Sequence, residues 1–117
     1  MVGASRRCRL TGTGAFEAVF RTGLRSEGEF LQLVSAPAAR ACGRVGYVIG
    51  SKALPRAVDR NRVRRMLRVV LRERKPLISG LDVIVRVKLP VARSEFSRIV
   101  AEARRMLAVL PSRRPTP

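Results

Sequence analysis

Apolar positions change period along this chain, and each change marks an element. Between Thr13 and Thr22, Phe16, Val19 and Phe20 fall at i, i+3 and i+4, the spacing of one helical stripe. Thr13 is placed to cap this helix and Gly23 to end it. So short a helix is marginal in isolation and must lean on a sheet. Glu29 to Ser35 reads as a strand, and Pro37 to Gly43 as a turn or loop. Arg44 to Ile49 is a second strand, with Val45, Tyr47 and Ile49 alternating against Gly46 and Val48. Leu24 to Ser26 is a candidate for a short extra strand.

The period becomes helical again from Arg56 to Lys75, with Pro55 near the first turn. Val63, Met66, Leu67, Val70 and Leu71 repeat at i, i+3, i+4, i+7 and i+8, which is a core-facing stripe. Asn61, Arg65, Arg68 and Arg72 stack on the opposite side, flanked by Arg60, Arg62 and Arg64. Pro76 to Gly80 breaks the helix. Leu81 to Lys88 then alternates, Val83, Val85 and Val87 on one face against Asp82, Ile84, Arg86 and Lys88 on the other. Pro90 ends that strand. Ser94 is placed to cap a last helix whose apolar face is Phe96, Ile99, Val100, Ala103, Met106, Leu107 and Leu110. Residues 111–117 form a basic, Pro-rich tail that is expected to be disordered. The pattern predicts one α+β domain over residues 1–110, with helices against one sheet.

Charge changes this picture from a fold to a function. The chain carries 25 Lys and Arg against 8 Asp and Glu, a net charge of +17. Unbalanced charge opposes compaction, so a foldable domain with this excess calls for an anionic partner, and nucleic acid is the commonest. From Arg56 to Lys75 there are nine basic residues and two acids, Asp59 and Glu73. Like charges meet at Arg56/Arg60, Arg60/Arg64, Arg64/Arg68 and Arg68/Arg72. At about 0.2–0.5 kcal/mol per pair, these oppose the helix by roughly 1–2 kcal/mol before any partner arrives. A merely solvated face gains nothing from a single sign. Guanidinium groups, in contrast, fork onto phosphate oxygens. A membrane-surface role is disfavoured because the apolar face has no Trp or Phe and is committed to covering strands.

Other chemistries are poorly served. The chain has no histidine, which excludes Ser-His and Cys-His nucleophiles. The acids Glu17, Glu27, Glu29, Asp59, Glu73, Asp82, Glu95 and Glu102 show no paired spacing for a metal-dependent nuclease. No Gly-rich phosphate loop is present. Cys8 and Cys42 form no metal-binding pair and are expected to be reduced thiols. Residues 1–10 have no apolar run of the secretory type, and the expected compartment is the cytoplasm.

The run Lys52-Ala-Leu-Pro-Arg56-Ala57-Val-Asp-Arg60-Asn61-Arg62-Val-Arg64-Arg65 resembles the signature of the bacterial ribonuclease P protein family. That signature is Arg-Ala-x-x-Arg-Asn-Arg-x-(Lys/Arg)-Arg on a helix that follows a strand. The approach Arg44-Val-Gly-Tyr-Val-Ile49, the Phe16-x-x-Val19-Phe20-Arg21-x-Gly23 helix and the strand from Asp82 to Lys88 and Pro90 are also similar. The resemblance implies an αβββαβα sandwich of ribosomal-protein type, with a mostly antiparallel sheet and a left-handed βαβ crossover. It implies a role in 5′ maturation of transfer RNA, with a 1:1 RNA subunit doing the hydrolysis through its own Mg2+. No catalytic side chain, metal or cofactor is then expected in the polypeptide. Lys52, Arg56, Arg60, Asn61, Arg62, Arg64, Arg65 and Arg68 become candidates for holding that RNA. Phe16, Phe20, Phe30, Tyr47, Arg86 and Lys88 become candidates for a cleft that takes the precursor's 5′ leader, as stacking surfaces and phosphate contacts. The alternatives are another basic RNA-binding module, such as a ribosomal or assembly protein, and a self-sufficient metal nuclease.

Overall fold

A computed structural model describes residues 13–38, 43–73 and 80–108. In chain order the elements are α1 (Thr13–Thr22), β1 (Leu24–Glu27), β2 (Leu31–Pro37), β3 (Val45–Val48), α2 (Ala57–Glu73) and β4 (Leu81–Val87). A 3-10 turn (Arg93–Glu95) then leads into α3 (Phe96–Ala108). This is the αβββαβα order, with the short strand at Leu24 present. Residues 111–117, Cys8 and Cys42 lie outside the described residues.

The strands form one sheet in the order β1-β2-β4-β3. β1/β2 and β2/β4 are antiparallel, whereas β3 runs parallel to β4. A parallel pair needs a crossover connection, and α2 lies between those two strands in the chain. β2 is central and covered on both sides. Leu31 through Ala36 are all buried, which is why its sequence does not alternate. Glu29 and Phe30, expected in this strand, lie in the bend before it, and Pro37, expected in the loop, is its last residue, paired with Leu81.

The two faces of the sheet hold separate cores. Leu31, Leu33, Val83, Val85 and Val87 pack with Val63, Leu67, Val70 and Leu71 of α2 and with Phe96, Ile99, Ala103 and Leu107 of α3. Val34, Ala36 and Ile84 pack with Val19 of α1, and Phe16, Phe20 and Val48 close around them. Gly23 lets α1 turn down onto this face. Its N–H bonds the Val19 carbonyl at 2.7 Å, and a Cβ there would stand 2.7 Å from Val34 Cγ1.

Two acids hold the edges of this frame. Glu102 of α3 is 2% exposed, and its carboxylate accepts from the backbone N–H groups of Glu29, Phe30 and Leu31 at 2.9, 2.8 and 2.7 Å. A Cβ on Gly28 would stand 2.5 Å from Glu102 Oε2, so the bend must pass with glycine at that point. Asp82, at the start of β4, accepts from the Arg44 backbone N–H at 2.9 Å and from its guanidinium Nη2 at 3.0 Å. That hydrogen bond holds the Arg44 guanidinium above its already high pKa. Ser94 does not cap the last helix. It lies within the 3-10 turn, and the Glu95 carboxylate instead accepts from the Ala92 N–H at 3.0 Å.

Candidate nucleic-acid interface

The exposed side of α2 is built by disposing of its acids. Asp59 is buried and accepts from Arg93 Nε at 3.0 Å. Glu73 accepts from Arg104 Nε at 3.3 Å. Both partners come from the α3 end of the chain, so the two acids are directed away from the arginine face. Among the described residues, no ion pair involves Arg56, Arg60, Arg62, Arg64, Arg65, Arg68 or Arg72. Arg56, Arg62, Arg65, Arg68 and Arg72 are exposed. The result is a one-sign surface on a rigid helix whose other side is core.

Individual members of the motif do different things. Arg60 is half-buried, and its Nη1 donates to the carbonyls of Leu54 and Pro55 at 2.8 and 3.0 Å. It therefore holds the chain entering α2, a role that the charge pattern did not reveal. Asn61 accepts from Arg64 Nη1 through its Oδ1 at 2.8 Å, a local bond between i and i+3 neighbours. Lys52 is exposed in the turn before the helix. That turn is fixed by the Leu54 N–H on the Gly50 carbonyl at 3.1 Å and the Val91 N–H on the Ala53 carbonyl at 3.2 Å. Val58, Asn61, Arg64, Arg65 and Arg68 line a shallow groove of about 390 Å³.

The second candidate surface is only partly as expected. Phe16 and Phe20 are half-buried on the α1 face of the sheet, beside Val48 and Ile84. Arg25 of β1, not singled out by its sequence, holds its guanidinium carbon 5.9 Å from the Phe20 ring centroid. It also donates from Nη2 to the Phe20 carbonyl at 3.1 Å. Further along the same face, Arg86 Nη1 donates to Gln32 Oε1 at 3.4 Å and Gln32 Nε2 to Glu27 Oε2 at 2.6 Å. Lys88 Nζ donates to Glu27 Oε1 at 3.0 Å. These bonds, that of Gln32 first and then that of Lys88, hold the Glu27 carboxyl below its usual range. Lys88 is thus tethered rather than free.

Phe30 and Tyr47 do not join this surface. Phe30 is 4% exposed in the core on the opposite face, with the Arg98 guanidinium carbon 5.2 Å from its ring centroid. Tyr47 packs against that same core. Alternation decides it: in β3, Val48 turns to the α1 side, so Tyr47 must turn to the α2 side. There its hydroxyl feels the positive charges of Arg68, Arg72 and Arg64. Burial pushes the phenol pKa up, and the three arginines offset part of that rise. Tyr47 therefore belongs with the α2 surface. Among the described residues, no three of His, Cys, Asp or Glu come together in a way that could hold a metal ion, and no helix is long and apolar enough to cross a membrane.

Known proteins share both the sequence and the fold of this chain. The Ribonuclease P family matches residues 4–110. The chain belongs to that family. The ribonuclease P protein component of Nitrosomonas europaea is 31% identical over 98 residues, covering 84% of this chain and 82% of the relative. That of Ralstonia pickettii is 36% identical over 97 residues, covering 82% and 69%. Among solved structures, the Staphylococcus aureus RNase P protein superposes with a TM-score of 0.78 at 19% identity, covering 87% of this chain and 94% of that one. The Thermotoga maritima protein gives 0.72 at 20%, covering 89% and 98%. At these identities the structural likeness establishes the ribonuclease P protein fold, while the curated relatives establish the family.

Proposed function

We propose that the chain is the protein component of a bacterial ribonuclease P, acting in the cytoplasm at the 5′ end of precursor transfer RNA. The observation that carries this reading is the α2 surface, where both acids are paired with α3-side arginines and, among the described residues, the motif arginines have no ion pair. Such a surface stores repulsion that phosphate contact relieves, and its guanidinium forks match phosphate oxygens. It binds the RNA subunit, one protein to one RNA. The α1 face, with Phe16, Phe20, Arg25 and Arg86, takes the single-stranded leader by stacking and phosphate contact. Phosphodiester hydrolysis belongs to the RNA subunit, and Mg2+ is held by that RNA. The polypeptide contributes binding and orientation.

The test is reconstitution. Purified protein alone should leave precursor tRNA intact. Added to a ribonuclease P RNA at low Mg2+, it should restore cleavage at the mature 5′ end. Cleavage by the protein alone would point to a self-sufficient nuclease. Tight RNA binding with no effect on processing would point to another kind of basic RNA-binding module.

A further inference from the structure

Val58 is the anomaly on the α2 surface. It is 60% exposed in the first turn of the helix, in the midst of the arginine face. Neither packing nor propensity places a valine there: it buries little, and β-branched residues are poorer helix formers than Ala, Arg or Lys. What it has is a position. Val58 lines the same groove as Asn61, Arg64, Arg65 and Arg68.

The groove combines three chemistries. Val58 supplies an apolar wall. Asn61 has its carbonyl oxygen occupied by Arg64 at 2.8 Å, so its NH2 is left to donate. Arg65 and Arg68 are exposed and carry no ion pair among the described residues. A bare phosphate needs no apolar wall and gains nothing from one. A membrane surface would need a continuous apolar strip, whereas the next exposed large apolar residue on α2 is Val69, about 16 Å away along the axis at 1.5 Å per residue. Duplex RNA keeps its base faces stacked inward. A nucleotide out of its stack offers all three complements: an apolar base face, acceptor atoms on the base edge, and a phosphate.

We propose that this groove seats one unstacked nucleotide of the RNA partner, its base packed on Val58, its edge on the Asn61 amide and its phosphate on Arg65 and Arg68. The inference rests on the reading that α2 binds RNA, and it adds that the contact includes a base as well as the backbone.

The test compares two anions, the ribonuclease P RNA and inorganic polyphosphate, which has the charge but no bases. Val58→Ala should weaken RNA binding about fivefold or more by removing apolar contact. The same change should leave polyphosphate binding as it was. The slope of log K against log salt should also stay unchanged, because that slope counts phosphates. Alanine is the better helix former, so folding is not at risk. Val58→Ile, which keeps the wall, should bind RNA as the native chain does. Wild-type RNA affinity for Val58→Ala, or an equal loss toward both anions, would overturn the proposal. Arg65→Ala separates this from the parent reading: if that variant also leaves RNA affinity and salt slope untouched, α2 is not the RNA-binding surface at all.

Discussion

The carboxylate of Glu102 accepts a hydrogen bond from the backbone N–H of Phe30 at 2.8 Å, joining the last helix to the start of β2 across 72 positions of sequence. The same carboxylate takes the neighbouring N–H groups of Glu29 and Leu31. A bend that would otherwise bury unpaired donors is thereby satisfied by one side chain. The contact fixes where β2 begins, and hence which of its side chains reach the α1 face.

Glu102→Ala removes all three acceptor contacts at once. Buried donors left unpaired cost about 1–3 kcal/mol each, so a loss of roughly 3 kcal/mol or more is expected in urea unfolding. Glu102→Gln retains one carbonyl oxygen and should lose less. An alanine variant within about 0.5 kcal/mol of the native chain, the range of ordinary surface changes, would show that the bend is held by something else.

Arg60 and Arg65 belong to one motif yet should fail differently. Arg60 donates to the Leu54 and Pro55 carbonyls, so Arg60→Ala should lower both thermal stability and RNA affinity. Arg65 is exposed, with Arg62 and Arg68 as i,i+3 neighbours. Arg65→Ala relieves like-charge repulsion and should leave stability level or a few tenths of a kcal/mol higher. Its cost should appear only in RNA binding, with the salt slope reduced by about 1. Equal effects of the two changes on melting temperature would contradict the division of roles.

Much of the fold was legible, and the reason is periodicity. The stripe from Val63 to Leu71 and the alternation from Val83 to Val87 each admit one reading, and both elements form where expected. The candidate site was legible where it depends on one helix face, as for Arg62, Arg65 and Arg68. It failed where it depends on which side of a sheet a residue takes. Alternation says that Tyr47 and Val48 point oppositely, but it does not say which points toward α1. Phe30 was lost because it precedes its strand, in a bend defined by a glutamate 72 positions away. The structural roles of Arg60 and Glu102 were missed for a related reason. Their partners are backbone groups, which leave no mark in side-chain patterns.

Tyr47 offers a spectroscopic check of its new placement. It is the only tyrosine, and the chain has no tryptophan, so phenolate absorbance reports it alone. Its midpoint should lie above the ordinary value near 10, because burial disfavours the phenolate more than the arginines favour it. The sign follows: with the folded pKa above the unfolded one, the contribution to stability is full below about pH 10 and is lost as pH rises through the folded value. Tyr47→Phe should flatten the decline in stability above pH 10. An ordinary midpoint in the folded protein would place Tyr47 in open solvent, as a leader-cleft residue requires.

The last expectation separates the two surfaces by leader length. Phe20 and Arg86 lie on the α1 face and Tyr47 on the α2 face. A single strand held by stacking and phosphate contacts loses those contacts when it is shortened. Replacing Phe20 and Arg86 with Ala should therefore weaken precursors with long leaders while leaving RNA-subunit assembly nearly intact. The defect should disappear when the leader is cut to one or two nucleotides. Tyr47→Ala should behave in the opposite way, lowering assembly with the RNA subunit by loosening the core on which α2 rests, irrespective of leader length. Phe20 also seals the small core over Ile84, so Phe20→Leu, which fills similar space without a ring face, accompanies the alanine change. If Phe20→Leu folds normally and still loses only the long-leader advantage, stacking is the cause. A leader-length effect that follows Tyr47 instead of Phe20 and Arg86 would reverse the assignment of the two faces.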